Sequence, residues 1–147
     1  MNENKITEGL RPHAIIVEDE SSLSEIYKVA LTQAGYYVQT IHNGTDAIKH
    51  LKKVSPRLLL LDLNLPGASG DEILDSIEEV DAYRDTKIFL ISANARMGRH
   101  LASKVDLVLE KPVRFNLLIR LAEKYKPIRN EQPLLDLDSN FFSSVLG

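Results

Sequence analysis

Residues 58–67 read LLLLDLNLPG: four leucines run into an aspartate, and turn-forming residues follow at once. A short unbroken apolar run bounded by turn residues is the pattern of a strand buried on both faces. Such strands occur in parallel sheets with helices on each side. Asn64, Pro66 and Gly67 end the run, so Asp62 sits at the carboxyl end of that strand. Open α/β sheets bind their ligands in the crevice outside those carboxyl ends. One stretch thus restricts the fold class and presents a carboxylate where a site belongs.

The rest of the chain repeats the pattern. AIIVEDE (14–20) is a second apolar run that ends in acids. In SSLSEIYKVALTQAG, the residues Leu23, Ile26, Tyr27, Ala30, Leu31 and Ala34 recur at helical spacing. Ser22 and Glu25 are spaced as a capping box, and Gly35 stops the helix. YYVQTI (36–41) is a short strand; after a turn at Asn43-Gly44, the helix TDAIKHLKKV runs to Ser55-Pro56. RLLLLDL is the third strand, and GDEILDSIEEV the third helix, with Asp71 as its N-cap. KIFLIS (87–92) and VDLVLEK (105–111) are strands four and five, and VRFNLLIRLAEKY (113–125) is the last helix. Strands and helices alternating in this way imply a doubly wound α/β fold: a five-stranded parallel sheet with helices on both faces. The exception is ANARMGRHLASK, between strands four and five, which is short, contains Gly98 and allows at most a brief helix.

With 147 residues, 44% of them apolar and 27% charged, the chain has the composition of one folded domain with a proper core. We read residues 1–11 as an N-terminal extension and 12–126 as the domain. Residues 127–147 read as a tail, with no output domain visible. The tail lacks a clear period, but its apolar pieces, Leu134, Leu135 and Leu137 and then Phe141 and Phe142, are able to dock. A net charge of -3 argues against an electrostatic grip on nucleic acid. Zero cysteines exclude disulfides and thiolate sites and fit a reducing compartment. No run has the length of a membrane span, and the polar start, MNENKITEGLRPH, lacks the apolar core of a signal peptide. The expected location is the cytoplasm.

Four strand ends deliver polar groups to one edge of this sheet: Glu18 and Asp19 from strand one, Asp62 from strand three, Ser92 from strand four and Lys111 from strand five. Carboxylates brought together repel unless a cation joins them, and oxygen ligands of this kind suit Mg²⁺. A carboxylate beside such a metal can attack phosphorus to give an acyl phosphate. Lys111 can neutralise a phosphoryl oxygen and the Ser92 hydroxyl can hydrogen-bond another. Each group alone has an ordinary explanation as a turn, a cap or a surface charge; their order and shared edge make the site. The histidines at 13, 42, 50 and 100 have no ligand spacing and read as surface residues, and Arg96, Arg99, His100 and Lys104 as a solvated face.

At these residues the chain resembles the receiver domain of bacterial two-component response regulators, over about residues 12 to 126. The resemblance rests on the acidic pair in VEDE, the aspartate in LLLLDLNLPG, the hydroxyl residue in ISA and the lysine in EKP. It implies a flavodoxin-like fold and a Mg²⁺ site made by Glu18, Asp19, Asp62 and the backbone carbonyl of Asn64. It also implies that Asp62 accepts a phosphoryl group from a sensor histidine kinase or phosphotransfer protein, with Ser92 and Lys111 binding that group. Such a chain is a phosphoacceptor rather than a turnover enzyme. It signals through contacts with a downstream protein target, in some cases as a homodimer, or as a phosphate relay. Gly70 matches the glycine that opens the third helix, and Lys111–Pro112 matches a bond usually cis in the family. Two features depart from the pattern. Val108 stands where receivers usually carry a switching aromatic residue, and the stretch between Ser92 and Lys111 is short. These departures support a rival reading, a receiver-like module that binds partners without phosphorylation. A phosphatase of the haloacid dehalogenase type is a weaker rival, because Asn64 stands where its general acid belongs. On the last helix, Leu118, Ala122 and Tyr125 form a core stripe. Leu117 and Leu121, about 100° away, either widen that core stripe or form an apolar strip open to a partner, the reading favoured here.

Overall fold

The computed structural model describes residues 11–127. The five strands are β1 (His13–Val17), β2 (Tyr37–Ile41), β3 (Leu58–Asp62), β4 (Lys87–Ser92) and β5 (Leu107–Glu110). The helices are α1 (Ser21–Gln33), α2 (Gly44–Leu51), α3 (Gly70–Glu78), α4 (Ala95–Arg99) and α5 (Phe115–Lys124). Short 3₁₀ turns at Asp81–Tyr83 and Ala102–Lys104 complete the connections. All pairings are parallel, and the order is β2-β1-β3-β4-β5. This is the doubly wound sheet expected from the alternation of strands and helices. The N-terminal residues up to 10 and the tail leucines and phenylalanines lie outside the described residues.

The unbroken leucine run now has its reason. Leu58 and Leu60 face one side of the sheet and pack with Ala14, Ile16, Phe89 and Ile91 beneath α1 and α5. Leu59 and Leu61 face the other side and pack with Ile15, Val17 and Leu90 beneath α2 and α3. With two cores, neither phase of the strand is left for polar residues. Each side also has a buried polar tie of its own. The buried Tyr36 hydroxyl donates to the Ala122 carbonyl of α5 at 2.8 Å, and the Tyr83 hydroxyl donates to Leu51 at 2.6 Å.

Helix ends correct several expectations. α1 starts at Ser21 with Glu20 as N-cap and no side-chain cap bond, so Ser22 and Glu25 form no capping box. The chain turns straight from the strand-end acids into the helix, and the Ser22 hydroxyl donates instead to Glu20 at 3.2 Å. α1 ends as expected at Gly35, whose φ of +102° is left-handed backbone that other residues rarely adopt. Asn43 is a true N-cap for α2, its side chain accepting from the Asp46 N–H at 2.8 Å, rather than part of a plain turn. Ser69, not Asp71, caps α3, accepting from the Glu72 N–H at 3.3 Å; Asp71 lies inside the first turn. α4 is the brief helix expected, five residues long. On α5 the structure divides the leucine pair: Leu121 packs against the core with Leu118 and Ala122, while Leu117 stays 38% exposed.

Candidate functional site

β1 and β3 lie side by side, with Val17 level with Leu61, so Glu18 and Asp62 leave the sheet as neighbours. β1 stops at Val17, but the Glu18 N–H still donates to the Ile41 carbonyl of β2 at 3.0 Å, which fixes the first acid in the sheet's plane. Glu18 and Asp62 are 1% and 3% exposed. Two buried carboxylates need a counter-charge, and Lys111 supplies it. Its Nζ donates to Asp62 Oδ2 at 2.9 Å and to Glu18 Oε1 at 3.3 Å. Lys111 follows β5, two strands from β3; its backbone N–H donates to the Ser92 carbonyl at 2.9 Å, and the peptide to Pro112 is cis, matching the expectation.

The electrostatics show one cation serving two acids. Burial, and then the neighbouring Asp62, push the Glu18 carboxyl up to about 8, against the pull of Lys111. Burial pulls on Lys111 in the opposite sense, but Asp62 and Glu18 outweigh it and hold the ammonium above its ordinary value. Asp19 is exposed beside this pair, and Glu18, Asp19 and Asp62 each offer a carboxylate oxygen within 4.8 Å of the others. Three hard oxygen donors with access to water fit a small divalent cation such as Mg²⁺. The opposite arms of Glu18 and Asp62 are held by backbone: Glu18 Oε2 accepts from the Asp19 N–H and Asp62 Oδ1 from the Asn64 N–H, both at 3.1 Å.

Glu18, Asp19, Asp62 and Lys111 are therefore brought together as the sequence suggests, with Asn64 one turn away. Ser92 stands at the same edge, fully buried, but its hydroxyl is occupied elsewhere. It donates to the Asn94 carbonyl at 2.8 Å and accepts from the Asn94 N–H at 3.1 Å. Asn94 in turn caps α4, its Oδ1 accepting from the Arg96 N–H at 2.9 Å. Sequence reasoning missed Asn94, although an asparagine between a strand and a helix is a cap signal. It also passed over His42, an exposed residue whose Nδ1 meets the Glu18 carbonyl oxygen at 3.0 Å. Position after β2, on the same edge of the sheet, was the signal available for it.

Residues 14–123 match the family described as the response regulator receiver domain. Among curated proteins, the transcriptional regulatory protein TrcR of Mycobacterium tuberculosis is 35% identical over 114 residues. That alignment covers 76% of this chain but 44% of TrcR. The chain spans about half or less of such relatives, the transcriptional regulatory protein AfsQ1 of Streptomyces coelicolor (48% covered) among them. Among solved structures, the response regulator protein TrrA of Thermotoga maritima, in complex with Mg(2+)-BeF, is 29% identical with a TM-score of 0.69. The match covers 78% of this chain and 98% of that one. A CheY-like receiver domain from Methylobacillus flagellatus gives 25% and 0.70, with 78% and 98% covered. Strand order, the buried acid–lysine contact and a family match across three quarters of the sequence agree: this chain belongs to the response regulator receiver domain family of two-component signalling.

Proposed function

We propose that residues 12–126 form a phosphorylatable receiver with Asp62 as its phosphoacceptor. Its donor is a phosphohistidine on a sensor kinase or phosphotransfer protein. The observation that supports this best is the Lys111 ammonium bridging buried Asp62 and Glu18 at the sheet's carboxyl edge. In this reading an Asp62 carboxylate oxygen attacks phosphorus. The new P–O bond forms as the P–N bond breaks, and its electron pair returns to the imidazole. Lys111, already on Asp62 Oδ2, then neutralises a phosphoryl oxygen. Glu18, Asp19, Asp62 and the Asn64 carbonyl would hold Mg²⁺, which supplies positive charge against the carboxylates and the phosphoryl group. To reach the phosphoryl group the Ser92 hydroxyl leaves the Asn94 backbone, which loosens the residue whose side chain caps α4. With Val108 in place of an aromatic ring, this release is the route by which the site reports.

The chain signals, on this reading, by contacts with a protein target or by relaying phosphate, without turnover and without touching nucleic acid itself. Residues 1–11 and 127–147 flank the receiver, and the compartment is the cytoplasm. No described helix is long and apolar enough to cross a membrane. Incubation with Mg²⁺ and acetyl phosphate is expected to place one acid-labile phosphate on the chain, and Asp62→Asn to abolish it. Labelling that survives the substitution moves the site elsewhere. A wild-type chain that takes no label from either acetyl phosphate or a phosphohistidine donor is instead a phosphorylation-independent binding module.

A further inference from the structure

Glu18 and Asp19 lie just beyond β1, which ends at Val17, and what holds them comes from the end of β2. Ile41, the last residue of β2, accepts the Glu18 N–H at 3.0 Å, and the next residue, His42, meets the Glu18 carbonyl oxygen with Nδ1 at 3.0 Å. A carbonyl oxygen only accepts, so Nδ1 is the protonated nitrogen of this ring. Both backbone polar groups of Glu18 therefore end on two consecutive residues of the neighbouring segment. The bond from His42 reaches further than the backbone. The Glu18 carbonyl and the Asp19 N–H belong to one planar peptide group, so fixing the oxygen fixes the direction of the N–H. That N–H donates to Glu18 Oε2 at 3.1 Å, while Oε1 accepts from Lys111 at 3.3 Å. The Cα of Asp19 lies in the same plane, and the second carboxylate starts from it. His42 is itself held in a fixed turn. Asn43 caps α2, and the Gly44 N–H donates to the Pro66 carbonyl, in the loop beyond Asp62, at 3.0 Å.

We propose that His42 is a positioning residue of this site: through the peptide between Glu18 and Asp19 it sets the two carboxylates that follow β1. This rests on the reading of Glu18 and Asp19 as Mg²⁺ ligands given above. Hydrogen-bond partners behind metal ligands act by orienting them, and their loss costs about tenfold or more in metal affinity. A histidine that merely stabilises the turn after β2 would change the melting point and leave that affinity alone.

In the full, unphosphorylated chain, His42→Ala is expected to raise the Mg²⁺ dissociation constant about tenfold. In the metal-free protein the same substitution is expected to shift the Asp19 amide signal. His42→Asn should restore both, because its Nδ2 stands where Nδ1 stood, two bonds beyond Cβ; His42→Gln, whose amide lies one bond farther out, should not. Labelling of His42→Ala by acetyl phosphate should be slow at low Mg²⁺ and recover at saturating Mg²⁺. Unchanged affinity in His42→Ala, an unmoved Asp19 amide, or equal losses in the alanine and asparagine variants overturns the proposal. A wild-type chain that binds Mg²⁺ but takes no label ends the phosphoacceptor reading and leaves this one standing; a wild-type chain that binds no Mg²⁺ ends both.

Discussion

β3 and β5 carry almost the same apolar text, LLLLD and LVLE, yet every residue of β3 is buried and no residue of β5 is. The cause is position. β3 lies between β1 and β4 with helices on both faces, whereas β5 is the sheet edge, and one of its flanking helices is the five-residue α4. Gly98 of α4 lies so close to β5 that an added Cβ would meet Val108 Cγ1 at 2.7 Å. The contrast separates two duties. The interior strand fixes the acid to the frame, and the edge strand, under a light cover, leaves room for rearrangement.

Substitutions break or sharpen this contrast. Leu60→Ala in β3 is expected to cost about 2–5 kcal/mol in urea unfolding, as for fully buried leucines; Leu107→Ala, only partly buried in β5, should cost clearly less. Equal losses would mean that β5 is as firmly built as β3.

Next comes the charge at the end of β1. The Glu18 carboxyl is raised from 4.5 to about 8, chiefly by burial. A raised folded value contributes stability that is complete below the unfolded value and fades as pH rises through the folded one. With EDTA present, the melting temperature should therefore fall as pH goes from about 5 to about 8. Glu18→Gln should flatten that slope, because its amide does not titrate; an unchanged slope would remove Glu18 as its source.

A third comparison uses α5. Leu121→Ser should lower the melting point by several degrees, because Leu121 packs on the core, whereas Leu117→Ser should leave it nearly unchanged. The pair is one surface only if both behave like Leu117. Smaller still is Gly98→Ala, which crowds Val108. Its cost should be recovered in part by Val108→Ala, with a coupling of about 1 kcal/mol in a double-mutant cycle. The subtlest effect is dynamic. Beryllofluoride should raise amide exchange in 93–104 and leave β3 unmoved; identical exchange in 93–104 would remove Ser92 and Asn94 as the reporting link.

The sheet was legible because apolar runs that end in acids or turn residues admit few other readings, and the site because its members close those runs. Glu18, Asp62 and Lys111 meet for that reason alone. What escaped depends on fine geometry. Ser69 and Asp71 are both cap-forming residues two positions apart, and only the path of the β3–α3 loop decides between them. The Ser92 hydroxyl could be placed at the edge but not on Asn94, since a rotor's choice of partner is local. Leu117 and Leu121 differ only in their angle to the core, and periodicity does not fix the tilt of a helix against its sheet.

The bond from Tyr36 to Ala122 joins residues 86 positions apart, and the cluster beneath α1 is closed by Leu118 and Ala122. During synthesis, at roughly 5–20 residues per second, the second face of the sheet can be covered by α2 and α3 while the first still waits for α5. Until then Tyr27, Leu31 and Tyr36 lack the cover that Leu118 and Ala122 supply. The last helix acts as the fastener: the first face of the sheet is closed only when α5 is in place.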